Sequence, residues 1–357
     1  MIAAIVAAGV AAPSMLWTEP QVARVREMAK NEPALQAMVE WNKRWADRFV
    51  RQNTEPYKPG MMLDTSRDVL GKVLSCGVQY RLTGDATYGR RVVKEIVAVA
   101  EFPSWHPEHF LDTAEMMTAV SIGLDWCGPL MTPEERRSVS QALRTKGLNA
   151  AKDSFARGDD WTRWDNNWAQ VCASGMGMAA LAIEDEDPTV ARWASARARE
   201  CLERVERDYL PGGISSEGPV YWRYGMGFQA MYNNALWTKK GERRAAFPGT
   251  GFSHTGFTPI YLTGPRGETF NFADASPSGT VTPATFELAR EFNLPVLRSW
   301  TIERAGALLA EGNSPWREEM RLAPLLIAWW QPGIEPVRNL PLGKVLLGKH
   351  PVGSFRS

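Results

Sequence analysis

The sequence is short of three things that would mark common function classes: paired cysteines, histidines and net charge. Its four cysteines, Cys76, Cys127, Cys172 and Cys201, form no Cys-x-x-Cys pair, and each lies in an apolar stretch of helical character. They read as buried small hydrophobes, which argues against a disulfide framework and against a cysteine-held metal. The four histidines, His106, His109, His254 and His350, make no His-Glu-x-x-His or similar metal pattern. A net charge of +1 provides no global basic field, so nucleic acid is not an expected partner. A local basic patch for an acidic sugar stays open. Long apolar runs are also missing. Met1 to Ala12 is almost wholly Ala, Val and Ile, ends at Pro13, and is too short to span a membrane. It lacks the basic start of a signal peptide but ends in small residues, as a cleavage site does. It reads equally as the remnant of an export signal, which would make the protein periplasmic or secreted, and as a buried first segment.

What is present is ordinary in bulk and unusual in one residue. A hydrophobic fraction of 44% and a charged fraction of 23% suit a soluble globular chain, and 357 residues suggest one large domain plus part of another. Tryptophan, at fifteen residues, is several times commoner than average. Packing is the simpler role for any single indole. Clustered indoles also stack on sugar faces.

From about residue 20 to 240 the pattern is helix after helix, with segments 64–83, 86–101, 110–128, 132–150, 166–184, 188–210 and 219–238. Thr132-Pro133-Glu134-Glu135 has the cap, first-turn proline and acidic third position of a helix start. Segment 188–210 carries one apolar stripe, Val190, Ala194, Ala198, Cys201, Val205 and Tyr209. Segment 166–184 is apolar all round after Trp168. Alternation of buried and amphipathic helices fits a double-layered helical toroid, and a plain helical solenoid would also alternate. After residue 250, Ile260-Tyr261-Leu262 and Thr269-Phe270-Asn271-Phe272 read as a hairpin about Gly264-Pro265-Arg266-Gly267. Helices return at 282–292 and 298–311, and strands are expected at 344–347 and 352–355, with nothing of their own to pack on.

Three strings concentrate polar chemistry. Trp161-Thr162-Arg163-Trp164-Asp165-Asn166-Asn167-Trp168 opens a buried helix. Asn166 suits a cap, but two asparagines among three indoles and an arginine also suit a sugar carboxylate. A glycine turn at Gly212-Gly213 leads through Glu217-Gly218-Pro219 to Tyr221-Trp222-Arg223-Tyr224-Gly225. Tyr221 and Tyr224, three apart, share a helix face, and the charge of Glu217 suits the start of that helix. Trp105-His106-Pro107-Glu108-His109-Phe110-Leu111-Asp112 precedes another helix, and sugar contact or capping suits its histidines better than a metal.

Taken in order, these strings resemble the heparinase II/III-like family. The likeness runs from His109-Phe110-Leu111-Asp112 through Gly123-Leu124-Asp125-Trp126, Asn166-Asn167-Trp168 and the Gly212 to Gly225 segment to Phe272-Ala273-Asp274. It spans roughly residues 15–357. The resemblance implies a mainly α protein: an incomplete (α/α) toroid over 15–335, after the apolar segment 1–14, and the beginning of an antiparallel β-sandwich at 336–357. It implies β-elimination on acidic, uronic-acid polysaccharides without a cofactor. Asn167, with Asn166, would neutralise the uronate carboxylate, and Tyr221, with Tyr224 second, would move protons. On charge and position alone, Arg163 and Arg223 are candidate partners for the carboxylate. Trp161, Trp164, Trp168, Trp222, Glu217, His106 and His109 would contact sugar. Trp168 stands where many related lyases carry a histidine. The family's β-sandwich also supplies a histidine from a glycine-rich stretch that does not occur before Ser357, and His350 does not match it, so the chain as given is expected to lack part of its active site. Two other readings stay open. An (α/α)-barrel glycoside hydrolase would draw its acid pair from Asp125, Asp165 and Glu217. A non-catalytic glycan-binding toroid would keep only the indoles.

Overall fold

The computed structural model describes residues 14–243, 251–275, 281–310, 320–333 and 335–355. The apolar segment at Met1 to Ala12 lies outside these residues. The protein is mainly helical with one small antiparallel sheet.

The helices are α1 (Glu19–Met28), α2 (Pro33–Val50), α3 (Met62–Thr83), α4 (Ala86–Ala100), α5 (Leu111–Cys127), α6 (Pro133–Ala142), α7 (Asn149–Arg157), α8 (Asn167–Ala182), α9 (Pro188–Glu206) and α10 (Gly218–Lys240). Shorter ones follow: α11 (Thr258–Leu262), α12 (Ala284–Glu291), α13 (Pro295–Ala310) and α14 (Pro324–Ala328). The capping box read at Thr132 forms, with Thr132 and Glu135 bonding each other's backbone N–H. The single segment read over 132–150 is divided by a turn of π-helix, Leu143–Leu148, between α6 and α7. Segment 188–210 ends at Glu206 and tightens into a 3-10 turn, Arg207–Tyr209.

Two kinds of helix alternate. In α5 every residue but Asp125 is buried, and α3 and α8 are almost as enclosed. Helices α3, α5, α8 and α10 pack as successive neighbours. The amphipathic helices lie outside them, α2 on α3, α4 on α3 and α5, and α9 on α8. In α9 the stripe Val190, Ala194, Ala198, Cys201 and Val205 is the buried one. All four cysteines are free and buried. No described helix is long and apolar enough to cross a membrane.

The region after residue 250 departs from the sequence reading. Ile260, Tyr261 and Leu262 are buried in α11 rather than in a strand, because Pro259 opens a helical first turn there. Of the expected hairpin there remains one bridge, Thr263 to Thr269, among the described residues. Strands β1 (Gly343–Leu346) and β2 (Val352–Phe355) do pair, in the register Gly343 to Phe355 and Leu346 to Val352. They also find a helical partner. Ser354 Oγ donates to the carbonyl of Tyr261, Gly212 N–H donates to the carbonyl of Leu347, and Lys349 pairs with Asp208 at 2.7 Å and Asp165 at 3.1 Å.

Candidate functional site

The four enclosed helices share an end. Leu63 and Arg67 come from the start of α3, Leu111 from the start of α5, Asn167 and Trp168 from α8, and Val220, Tyr221, Arg223 and Tyr224 from α10. All line one cavity of about 560 Å³. The starts of four helices thus border one hollow, and their partial positive charge is added to it. Arg67, Arg223 and Arg321 stand in the same wall.

The start of α8 is held by two side chains. Asn166 caps it, its Oδ1 accepting from the N–H groups of Trp168 and Ala169. Glu217 reaches across from the start of α10 and accepts from Asn167 twice, from the backbone N–H and from Nδ2, each at 2.6 Å. The charge of Glu217 was expected to serve its own helix, but the carboxylate caps the neighbouring one. Burial raises the pKa of Glu217, with the Asn167 bonds opposing the rise. Close approach of the helices makes this clamp reachable. A Cβ on Gly225 of α10 would stand 2.0 Å from Oε1 of Gln170 and 3.3 Å from Cα of Asn167 on α8.

The two tyrosines differ. Tyr221 is half-buried, and its hydroxyl donates to Asp274 at 3.3 Å. Burial, then the charge of Asp274, raises its pKa. Tyr224 donates to Glu115 at 2.7 Å, and its pKa is raised well above the usual value by burial and by that carboxylate. Glu115 has no exposed side-chain surface and also receives Arg67 at 3.1 Å and Arg321 at 2.9 Å.

His109 lines the cavity, and its ring stands edge-on to Trp168 at 4.7 Å between centroids. Its Nδ1 lies 2.5 Å from Oδ1 of Asp112, while His106 Nδ1 contacts Oδ2. Asp112 is thus gripped by two imidazoles. These three residues are the one cluster of metal-binding type among the described residues. Their contacts are hydrogen-bond contacts: ligands sharing one tetrahedral zinc stand roughly 3.3 Å apart, whereas here each oxygen sits directly against a ring nitrogen.

The cavity therefore joins His109, Trp164, Asn166, Asn167, Trp168, Glu217, Tyr221, Arg223 and Tyr224, residues from three separate strings. The chain matches no protein-family model and no curated protein sequence. Four sequence candidates lie elsewhere. Trp161 is buried, stacked on Phe110 at 4.4 Å, because a flat apolar ring there fills the core under the loop. Trp222 is buried too, its indole N–H donating to Thr255 at 2.6 Å. Arg163 is exposed and pairs with Asp160 one helical turn earlier. His106 is turned onto Asp112 and does not line the cavity. Conversely, Arg67, Glu115, Asp274 and Arg321 were not picked out as site residues. The available signal was charge inside a mostly apolar helix, as at Glu115, one turn after Asp112 in α5.

Proposed function

We propose that this chain is the helical part of a heparinase II/III-like polysaccharide lyase, with α1–α10 as an incomplete (α/α) toroid and the cavity as its uronate site. The two-layer succession of enclosed and amphipathic helices supports the toroid. The observation that carries the activity is the meeting of four helix N-termini and three arginines with Asn167 and Tyr221 in one cavity. Those arginines, which stand there with the carboxylates of Glu217 and Asp274, suit pairing with a sugar carboxylate.

The chemistry asks for such a wall. A C5 proton beside a carboxylate is barely acidic, so the carboxylate must be neutralised and the enolate stabilised as it forms. Asn167 keeps a second amide hydrogen beyond the one given to Glu217, and it sits at the positive end of α8. Tyr221, whose hydroxyl reaches Asp274 only at 3.3 Å, is better placed for proton transfer than Tyr224, whose hydroxyl is held to the enclosed Glu115 at 2.7 Å. Trp164, 38% exposed, and half-buried Trp168 meet edge-on at 5.7 Å and offer sugar-stacking faces. For the glycoside hydrolase alternative, Asp125 is held by Ser14 and by the N–H of Met15, outside the cavity wall. A polymer substrate of this kind places the protein in the periplasm or outside the cell.

The test is incubation with hyaluronan, chondroitin sulfate, heparan sulfate and alginate while following the ultraviolet absorbance of an unsaturated uronide. Any unsaturated product that the wild type forms is expected to fall about 10²-fold or more in Tyr221→Phe. New reducing ends without that absorbance would favour a hydrolase. Binding without turnover, unchanged by Tyr221→Phe, would favour a glycan-binding toroid.

A further inference from the structure

The clamp of Glu217 on Asn167 spans fifty positions and joins the loop before α8 to the loop before α10. A carboxylate holds two N–H groups in this way only while both loops keep their places. One turn of the small sheet, Leu347 to Lys349 between β1 and β2, meets both loops. The glycine loop before α10 is pressed against it. Gly212 N–H donates to the carbonyl of Leu347 at 3.0 Å, and a Cβ on Gly212 would stand 2.5 Å from the Leu347 nitrogen. A Cβ on Gly348 would in turn stand 2.5 Å from the Ile214 side chain, so glycine on each side lets the two segments touch.

At the end of that turn, Lys349 Nζ lies 2.7 Å from Asp208 and 3.1 Å from Asp165. The two acids differ. Asp165 is exposed, and an ion pair with it alone would be worth little. Asp208 has a side chain only 3% exposed and accepts from the N–H and the hydroxyl of Ser216. A carboxylate so enclosed needs a cation as well as hydrogen bonds. Each acid stands next to one half of the clamp. Asp165 adjoins the capping Asn166, and Ser216 adjoins Glu217. Charge acts in the same sense as contact. Burial raises the Glu217 pKa first, the Asn167 bonds oppose the rise, and the carboxylates of Asp208 and Asp165 add to it. A lysine shared by those two acids cancels part of their push and keeps Glu217 ionised, able to accept both Asn167 bonds.

The geometry points to Lys349 as a positioning residue of the cavity: from the turn of the sheet it locks the Asn167 loop to the Glu217 loop by pairing with Asp165 and Asp208 at once. Lys349 does not line the cavity and acts through Asn167 and Glu217. The small sheet is thereby part of the site's support as well as a neighbour of the helices. The inference rests on the lyase reading, in which Asn167 meets the uronate.

The experiment uses the full chain with Lys349→Met and Lys349→Arg. Ser354→Ala is the control, because it loosens the sheet from Tyr261 without touching either acid. The titration of Glu217 is followed through the ¹⁵N–¹H signal of the Asn167 amide, 2.6 Å from its carboxylate. The other charged or titratable groups of that cavity wall, Arg67, Arg223, Arg321, His109, Asp274 and Tyr221, are the same in every variant, so a difference between curves reports Lys349. In Lys349→Met the midpoint should move to higher pH, and kcat/KM on the same four polymers should fall about 10-fold or more. Lys349→Arg should return both towards wild type, and Ser354→Ala should move neither. A folded Lys349→Met whose Asn167 signal titrates as in the wild type overturns the inference, as does an equal change in Ser354→Ala. A wild type that turns over none of the polymers overturns the lyase reading; the titration, which needs no turnover, then decides separately whether Lys349 holds the clamp.

Discussion

Glu115 shows what one residue does for this cavity. Its carboxylate is wholly enclosed and accepts from Arg67, Arg321 and the Tyr224 hydroxyl. Removing it would leave two guanidinium groups at the cavity floor without the carboxylate they now share. Glu115→Ala is therefore expected to destabilise the fold by about 3–5 kcal/mol, read as a lower urea midpoint at unchanged slope. Glu217 makes a different prediction. Burial raises its folded pKa above its ordinary value of 4.5. A raised pKa means that the folded state binds the proton more tightly than the unfolded one, so its contribution is full below pH 4.5 and is lost as pH rises through the folded pKa. Stability measured across that window should decline in the wild type and decline less in Glu217→Gln. A parallel decline in the two proteins would contradict the assignment. Single residues were unevenly legible in sequence. Capping by Asn166 could be read locally, because a cap bonds within three residues. The Glu217 bonds to Asn167 could not, since they cross fifty positions.

Elements were read more surely than their contacts. Apolar periodicity found the helices from α3 to α10, because burial on one face or all round leaves a local trace. It failed at residues 260–262, where a short apolar run fits strand and buried helix alike and Pro259 decides. What periodicity cannot carry is how close two helices come. On α8, a Cβ at Gly175 would stand 2.4 Å from the backbone oxygen of Ala114 on α5, whereas one at Gly225 would meet the side-chain Oε1 of Gln170 at 2.0 Å. Backbone atoms cannot yield as side-chain tips can, so Gly175→Ala must separate α5 from α8. About 1–3 kcal/mol of destabilisation is expected. Gly306, in α13, meets nothing within 4 Å. There the alanine should stabilise, by about 0.5–1 kcal/mol. Chemical denaturation of the two variants side by side checks both signs, and equal losses would refute the contact argument.

At the scale of the whole molecule, the helical array is closed by a short strap. Residues 14–17 lie across the ends of helices far apart in sequence. Met15 N–H donates to Asp125 on α5, and its carbonyl accepts from the indole of Trp126 at 2.8 Å. Leu16 N–H donates to Thr238 on α10, and its carbonyl accepts from Trp329 at 3.0 Å, just past α14. Arg81 on α3 reaches Ser14 and the carbonyl of Trp17. No composition count or local pattern announces such a strap, because the bonds that tie it to the helices are long-range. Nor could the meeting of four helix starts at one cavity be read before the chain had folded. Both indole bonds are to the strap's backbone, so the indoles can be tested without changing the strap itself. Trp126→Phe takes one of two donors from the Met15 carbonyl, which keeps the Trp17 N–H, and should cost about 0.5–1.5 kcal/mol; Trp329→Phe takes the indole donor from the Leu16 carbonyl and should cost about 1–3 kcal/mol. Both carbonyls belong to adjacent residues. Once one anchor is lost, the strap can shift as a unit and the second bond is already weakened. The double variant should therefore lose less than the sum of the singles, by about 0.5 kcal/mol or more. If the losses add to within about 0.3 kcal/mol, residues 14–17 act as independent contacts and the strap does not close the array as one piece.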